Sequence, residues 1–174
     1  MTEAEWSGCS DPTAMLSFLG ARLSKRKQRL FAVACCRRIW HLFVREESRQ
    51  AVETAERYAE GVAAAKELGA THHLAIRAMR ECSEWFHARA ALAAADAAAG
   101  HLLWEFRNPG APEHDPAFAA ANAVSEYSRV LLRRQSRRHS NSAERREREM
   151  QSHLLRDVSG TPFRRPERDP AWLA

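Results

Sequence analysis

Two adjacent cysteines, Cys35 and Cys36, are the first residues of this chain that suggest chemistry. A pair of thiols can bind a metal ion or form a disulfide. In a helix, however, adjacent side chains point about 100° apart, so both thiols are poorly placed to bind one tetrahedral zinc ion. Their i+4 neighbours, Ile39 and Trp40, are not metal ligands. We therefore predict that each cysteine is a small apolar core residue.

The histidines and acids form no recognisable catalytic or metal-binding pattern. His72 and His73 are adjacent, and the chain contains no His-Glu-x-x-His motif. A Cys82–His87 pair is offset by five residues, which turns the two groups toward different sides of a helix. Asp96 lies alone in a run of alanines, and acid–base catalysis needs more than one such group. The sequence thus predicts no catalytic residue, no metal and no cofactor, and it makes an enzyme the least favoured class.

The basic segment between residues 129 and 148 is the strongest candidate for a binding function. Five arginines occur in its first half without an acid: Arg129, Arg133, Arg134, Arg137 and Arg138. Their i, i+4 spacing forms basic ridges that could contact the phosphates of a nucleic acid. Cations near a helix C-terminus also suit the helix dipole, and the mixed Glu and Arg that follow are typical of a solvated face. A solvated face, nucleic-acid contact and an acidic protein partner are all compatible with this pattern.

Composition points to a helical protein. Apolar residues make up 45% of the chain, alanine is the commonest of them, and no alternating β-branched run occurs. The 27 Lys and Arg exceed the 22 Asp and Glu by a net charge of +5, which permits anionic partners without requiring them. The N-terminus is acidic without an apolar core, and no apolar run is long enough to span a membrane. We expect a cytoplasmic protein with no membrane contact.

Cap residues predict where the first helices begin. Thr2 and Glu5 form a capping box, Asp11-Pro12 combines an N-cap with a proline at the first helical position, and Ser24 can cap a third helix. We predict that this third helix spans residues 24–45 and is buried at the centre of the bundle. Its first turn is basic, opposite to the preference of the helix dipole. We interpret these charges as a solvated face, although the mismatch hints at another role.

Later elements are marked by glycine and proline. A fourth helix lies near residues 47–60, with Gly61 after its end. Residues 62–106 contain no proline and predict one long alanine-rich helix, or two with a joint at residues 69–71. A proline-rich loop over residues 107–116 precedes a sixth helix. Residues 140–142 then mark a break before a final helix over residues 142–158.

Distinctive motifs occur near both ends of the chain. The N-terminal motifs are Thr2-Glu-Ala-Glu-Trp6, Asp11-Pro12, Arg29-Leu-Phe-Ala32 and Ala34-Cys-Cys-Arg-Arg-Ile-Trp-His-Leu42. The C-terminal motifs are Leu154-Leu-Arg-Asp157, Pro162-Phe-Arg164 and Asp169-Pro-Ala-Trp-Leu173. Together they resemble an uncharacterised, paralogue-rich family of planctomycete proteins. The resemblance implies a bacterial cytoplasmic protein and no known activity, and it leaves the middle of the chain unmatched.

We therefore predict an all-α, irregular bundle of about six or seven helices around the central helix. Residues 1–160 form one helical domain, and an irregular tail, residues 161–174, packs back on the core through Phe163 and Trp172. The predicted core residues are Phe31, Cys35, Cys36, Ile39, Trp40 and Trp85.

Two arginines, Arg37 and Arg38, interrupt the central helix and need partners. We expect these among the acids of the fourth helix or the tail acids Asp157 and Asp169. The predicted function is a non-enzymatic helical scaffold or protein-interaction module with an unknown protein partner. The alternative is a nucleic-acid-associated protein that uses the basic helix around residues 129–148.

Overall fold

The computed structural model describes residues 1–99 and 137–163, without the side chains of Ala21 and residues 137–141. Within these ranges the chain forms seven α-helices and no strand, which confirms the all-α class. The helices are α1 (Glu3–Gly8), α2 (Pro12–Leu19), α3 (Lys25–Arg38), α4 (Glu46–Ala59), α5 (Ala65–Glu81), α6 (Trp85–Ala98) and α7 (Arg137–Ser159). No helix of the described ranges is long and apolar enough to cross a membrane.

The predicted start signals are confirmed. Thr2 and Glu5 form the reciprocal capping box of α1, and the Asp11 carboxylate accepts from the first backbone amides of α2. The Ser24 hydroxyl accepts from the amide of Lys27 at the start of α3. Gly61 follows the end of α4 and has a positive φ of 75°. Glycine adopts this conformation at little energetic cost because it has no side chain.

Three helices form the interior of the described bundle. α3 packs against α4, α6 and α7, α4 packs against α3, α5 and α6, and α6 packs against α3, α4 and α5. Seven alanines of α6 are buried: Ala90, Ala91, Ala93, Ala94, Ala95, Ala97 and Ala98. Because alanine projects only a methyl group, three neighbouring helices can approach the α6 backbone closely. The predicted central helix therefore shares the interior with α4 and α6.

α7 lies over the N-terminal part of the chain and contacts α2 and α3. Its inward side carries Gln151, Ser152 and Leu155, all with no measurable exposure. At the start of the predicted tail, the Phe163 ring stacks on Phe18 at 5.6 Å between centroids. Residues 164–174, including Trp172, lie outside the described residues.

Three predicted helix boundaries are wrong. The central helix ends at Arg38 rather than near residue 45, and a 3₁₀ turn over Trp40–Leu42 follows it before α4 begins at Glu46. The described part of residues 62–106 contains two helices, which was one of the two predicted alternatives. Their joint lies at residues 82–84 rather than 69–71, and Gly69 lies inside α5. The predicted break at residues 140–142 lies inside α7, because Ser and Asn lower helix propensity only slightly.

The predicted core is largely correct. Phe31, Cys35 and Cys36 have no exposure, and Ile39 is also buried, whereas Trp40 is half-buried. Trp85 is 46% exposed, so its assignment to the core is wrong. The buried face of α6 includes Ala90, and the residue one helical turn before it is Phe86, which packs against the core. Trp85 is turned about 100° away from that face.

Candidate functional site

The basic first turn of α3 lies where the C-terminal ends of three other helices converge. Arg26, Lys27 and Arg29 each donate to a backbone carbonyl at the end of a different helix. The last carbonyls of a helix have no partner within the helix and carry its negative partial charge. Cations placed against them satisfy the acceptors and stabilise the dipoles. The interpretation of this turn as a solvated face is therefore wrong for Lys27 and Arg29, which are half-buried, whereas Arg26 is both exposed and bonded to a helix end.

Arg26 holds the end of α4. Its Nε donates to the carbonyl oxygen of Ala59 at 3.0 Å, and its terminal nitrogen pairs with the Glu60 carboxylate at 2.9 Å. Lys27 holds the end of α7, because its Nζ donates to the carbonyl oxygen of Ser159 at 2.9 Å. The Lys27–Ser159 contact joins residues that are 132 positions apart.

Arg29 holds the end of α6. Its two terminal nitrogens donate to the carbonyl oxygens of Ala97 and Ala99, at 2.6 and 3.0 Å. The guanidinium also lies 5.1 Å from the centre of the Tyr58 ring on α4. One side chain therefore links α3 to both α6 and α4.

The other end of α3 carries the two arginines that needed partners. Arg37 pairs with Glu56 on α4, as predicted, and its guanidinium lies 4.3 Å from the Trp40 ring. Arg38 pairs with an acid of α7 that was not among the expected partners. It donates two hydrogen bonds to the two carboxylate oxygens of Glu147 on α7, at 2.8 and 2.7 Å. The Glu147 carboxylate in turn raises the pKa of Arg38 through this hydrogen bonding.

The adjacent cysteines face different neighbours of α3. Burial raises the pKa of the Cys35 thiol, and the nearby Cys36 thiol and the Glu147 carboxylate on α7 raise it further. Burial also raises the pKa of Cys36, with a further contribution from Asp96 on α6. Both thiols are therefore protonated and shielded from solvent at neutral pH. This arrangement agrees with the predicted packing role and opposes a nucleophilic one.

Two further charged contacts attach α7 to the N-terminal helices. Arg148 pairs with the Asp11 carboxylate, which also caps α2. Arg156 donates through Nε to the carbonyl oxygen of Trp6 at 3.2 Å and through a terminal nitrogen to that of Cys9. The end of α1 is thereby fastened to α7.

The predicted nucleic-acid residues are only partly covered by the structure. Arg129, Arg133 and Arg134 lie outside the described residues. Arg137 and Arg138 begin α7, and their side chains are not described. Farther along α7, Arg145 and Arg146 are exposed together with Glu149 and Asp157. The described outward side of α7 therefore carries charges of both signs.

An open cleft of about 250 Å³ lies between α7 and the start of α2. It is lined by Ser10, Asp11, Glu144, Arg145 and Arg148. Two acids and two arginines leave the cleft without a dominant charge, and the Arg148–Asp11 pair occupies one side of it.

The histidines bond to the backbone. His72 Nδ1 lies 2.9 Å from the carbonyl oxygen of Ala95, and His87 Nδ1 lies 2.9 Å from that of Leu42, so each ring nitrogen must be the donor. The Cys82 thiol donates to the carbonyl oxygen of Ala78. In the part of the chain that the structure describes, no group of three or more His, Cys, Asp or Glu side chains could hold a metal ion.

Two apolar side chains are exposed at one end of the bundle. Val44, 56% exposed, precedes α4, and Trp85 begins α6. The segments that carry them are adjacent, because His87 bonds to the carbonyl oxygen of Leu42 and Arg45 pairs with Glu81. We call these two side chains, together with the loops that carry them, the Val44–Trp85 end.

Sequence reasoning missed Glu147, Arg148 and Arg156 as partners of the N-terminal helices. A signal for Glu147 was present, because this acid lies four and eight residues before Gln151 and Leu155 on the inward side of α7. An acid on the apolar stripe of a helix requires a buried cation.

The chain matches no protein-family model, no curated protein and no solved structure.

Proposed function

We propose that this protein is a non-enzymatic helical scaffold that acts through contacts with another protein. One observation carries the proposal: the basic residues of α3 hold neighbouring helices together. Arg26, Lys27 and Arg29 cap other helices, and Arg37 and Arg38 pair with Glu56 and Glu147. The two adjacent thiols, Cys35 and Cys36, are fully buried.

The Val44–Trp85 end is the surface through which we propose that the scaffold acts. Two arginines near it are paired within the chain, since Arg45 contacts Glu81 and Arg49 contacts Glu46. Exposed apolar side chains beside paired charges favour an apolar protein surface over a highly charged ligand. Tryptophan is also enriched among the residues that dominate binding energies in protein interfaces.

Photo-crosslinking tests this assignment. A photoreactive phenylalanine analogue replaces Trp85 in one variant and the exposed His153 of α7 in a matched control. In cells of the source organism, we expect a discrete protein adduct from position 85 and none from position 153. Val44→Asp in the position-85 variant should abolish the adduct, because it introduces a charge into the apolar surface. Equal adducts at both positions, or no adduct at position 85, would contradict the proposal.

Nucleic-acid association is the second candidate, and α7 gives it a specific basis. The helix is continuous from Arg137 through the exposed Arg145 and Arg146, so the basic segment is not interrupted at residues 140–142. The test is fluorescence anisotropy with a DNA duplex and an RNA across a salt series. We expect no salt-sensitive binding. Binding that weakens steeply with salt and is lost after changing Arg133, Arg134, Arg137 and Arg138 to Ala would favour this candidate over the scaffold.

A further inference from the structure

The inward side of α7 is unusually polar for a helix in a bundle. Its buried residues are Glu147, Gln151 and Ser152 in one part and Leu155 in the next, with Leu154 and Val158 partly buried beside them. Much of the docking of α7 therefore depends on ion pairs and hydrogen bonds. The net contribution of such contacts to stability is smaller than that of a wholly apolar interface of the same area.

Four of the described helices share contacts that do not involve α7. Helices α3, α4, α5 and α6 pack on one another through buried alanines and through Phe31, Val52 and Leu68. α7 contacts only α2 and α3 extensively among the described helices. Removing α7 would leave the contacts among these four helices in place.

We propose that α7 is a reversible strap, which detaches from α2 and α3 as a unit while α3–α6 stay folded. The contacts that must break together are Arg38–Glu147, Arg148–Asp11, Lys27 with the carbonyl of Ser159, and Arg156 with the carbonyls of Trp6 and Cys9. Local opening of this kind occurs where a segment has few buried apolar contacts. The proposal does not depend on the scaffold function.

The adjacent cysteines provide a built-in reporter of this opening. Cys35 lies one helical turn before Arg38 and close to Glu147, so α7 covers it. Cys36 lies seven residues after Arg29, on the same side of α3, and Arg29 bonds to the end of α6, so Cys36 faces α6. Both are fully buried in the docked state. Detachment of α7 exposes Cys35 alone, whereas unfolding of the whole protein exposes both thiols.

Alkylation of the intact chain with iodoacetamide measures the opening. Trypsin releases residues 30–37 as one peptide, and its fragment ions distinguish modification at Cys35 from modification at Cys36. In the unchanged protein, we expect Cys35 to react faster than Cys36. Glu147→Gln removes the charge that Arg38 binds and should raise the Cys35 rate about tenfold, with the Cys36 rate unchanged. The matched control Glu149→Gln changes an exposed carboxylate of the same helix and should leave both rates within about twofold.

Equal rates at Cys35 and Cys36 in both proteins would overturn the proposal, because the thiols would then be exposed only by global unfolding. An unchanged Cys35 rate in Glu147→Gln would also overturn it. If that variant fails to fold, hydrogen exchange of the unchanged protein decides the question. The strap requires the amides of residues 147–158 to exchange as a block faster than those of α4 and α5, and equal protection of these helices would refute it.

Discussion

Arg38 on α3 and Glu147 on α7 form a two-point ion pair between residues 109 positions apart. The Glu147 side chain is 10% exposed and that of Arg38 is 32% exposed, so the carboxylate is the more deeply buried partner. Two parallel hydrogen bonds fix the relative orientation of the guanidinium and the carboxylate. Together with the Lys27–Ser159 contact, the pair positions α7 along α3.

Removing the carboxylate of this pair should destabilise the protein. We expect Glu147→Ala to lower the free energy of unfolding by about 2–3 kcal/mol, because Arg38 loses its counter-charge in a partly buried site. Glu149→Ala, at an exposed position of the same helix, should change it by less than about 0.5 kcal/mol. Urea denaturation measures both. Replacing both partners by Met should recover part of the loss, and equal losses in the two Ala variants would contradict the assignment.

The cap that Arg29 places on α6 should also be measurable. Arg29→Met keeps an unbranched apolar stem but removes both donors to Ala97 and Ala99, and we expect a loss of about 1–3 kcal/mol. Lys25→Met, at an exposed position of the same turn, is the matched control and should have little effect. Chemical denaturation of the two variants gives the comparison. A similar change in both would mean that the basic turn acts only through its total charge.

Close packing around α6 predicts a strong response to added volume. Ala94 has no exposure, and Ala94→Leu should destabilise the protein by about 1–3 kcal/mol or more, because three helices surround α6. The same substitution at Ala70, which is exposed on α5, should be nearly neutral. Thermal unfolding followed by circular dichroism distinguishes them. Equal melting temperatures would show that α6 is less tightly enclosed than described.

Alkaline pH should destabilise the protein through Cys35 and Cys36. Burial raises the pKa of both thiols, so the folded state keeps protons that the unfolded chain loses. Their stability contribution is complete below the ordinary thiol pKa of about 8.5 and declines above it, by up to about 1.4 kcal/mol per pH unit for each thiol.

Urea denaturation between pH 7 and pH 10 measures this decline. The double variant Cys35→Ala, Cys36→Ala should lose most of the slope, although its stability at pH 7 is lower. Cys9→Ala, which leaves both buried thiols in place, should retain the slope. An unchanged slope in the double variant would assign the pH dependence to other groups.

Local signals in the sequence predicted the helices well. The caps at Thr2, Asp11 and Ser24 and the stop at Gly61 depend on residues within one turn of each other, and all four are confirmed. The errors in helix bounds have two sources. No glycine or proline marks the end of α3 at Arg38, whereas the signals at Gly69 and at residues 140–142 lie inside helices.

Contacts between distant residues were harder to predict. Arg37 pairs with an acid of α4, the next helix along the chain, as the sequence suggested. The partner of Arg38 could not be identified from the sequence, because the chain contains many acids. The dipole mismatch in the first turn of α3 did indicate a special role. Identifying that role required knowing that three helices end beside Arg26, Lys27 and Arg29.

The placement of α7 has a consequence for synthesis of the chain. α3–α6 are complete once residue 98 has been made, but Glu147 is added 49 residues later. At elongation rates of about 5–20 residues per second, that interval lasts roughly 2–10 s. During it, Lys27 and Arg38 of the nascent protein lack their partners on α7, and Cys35 lacks the helix that covers it. A ribosome-bound chain therefore presents to chaperones and oxidants a surface that the finished protein conceals.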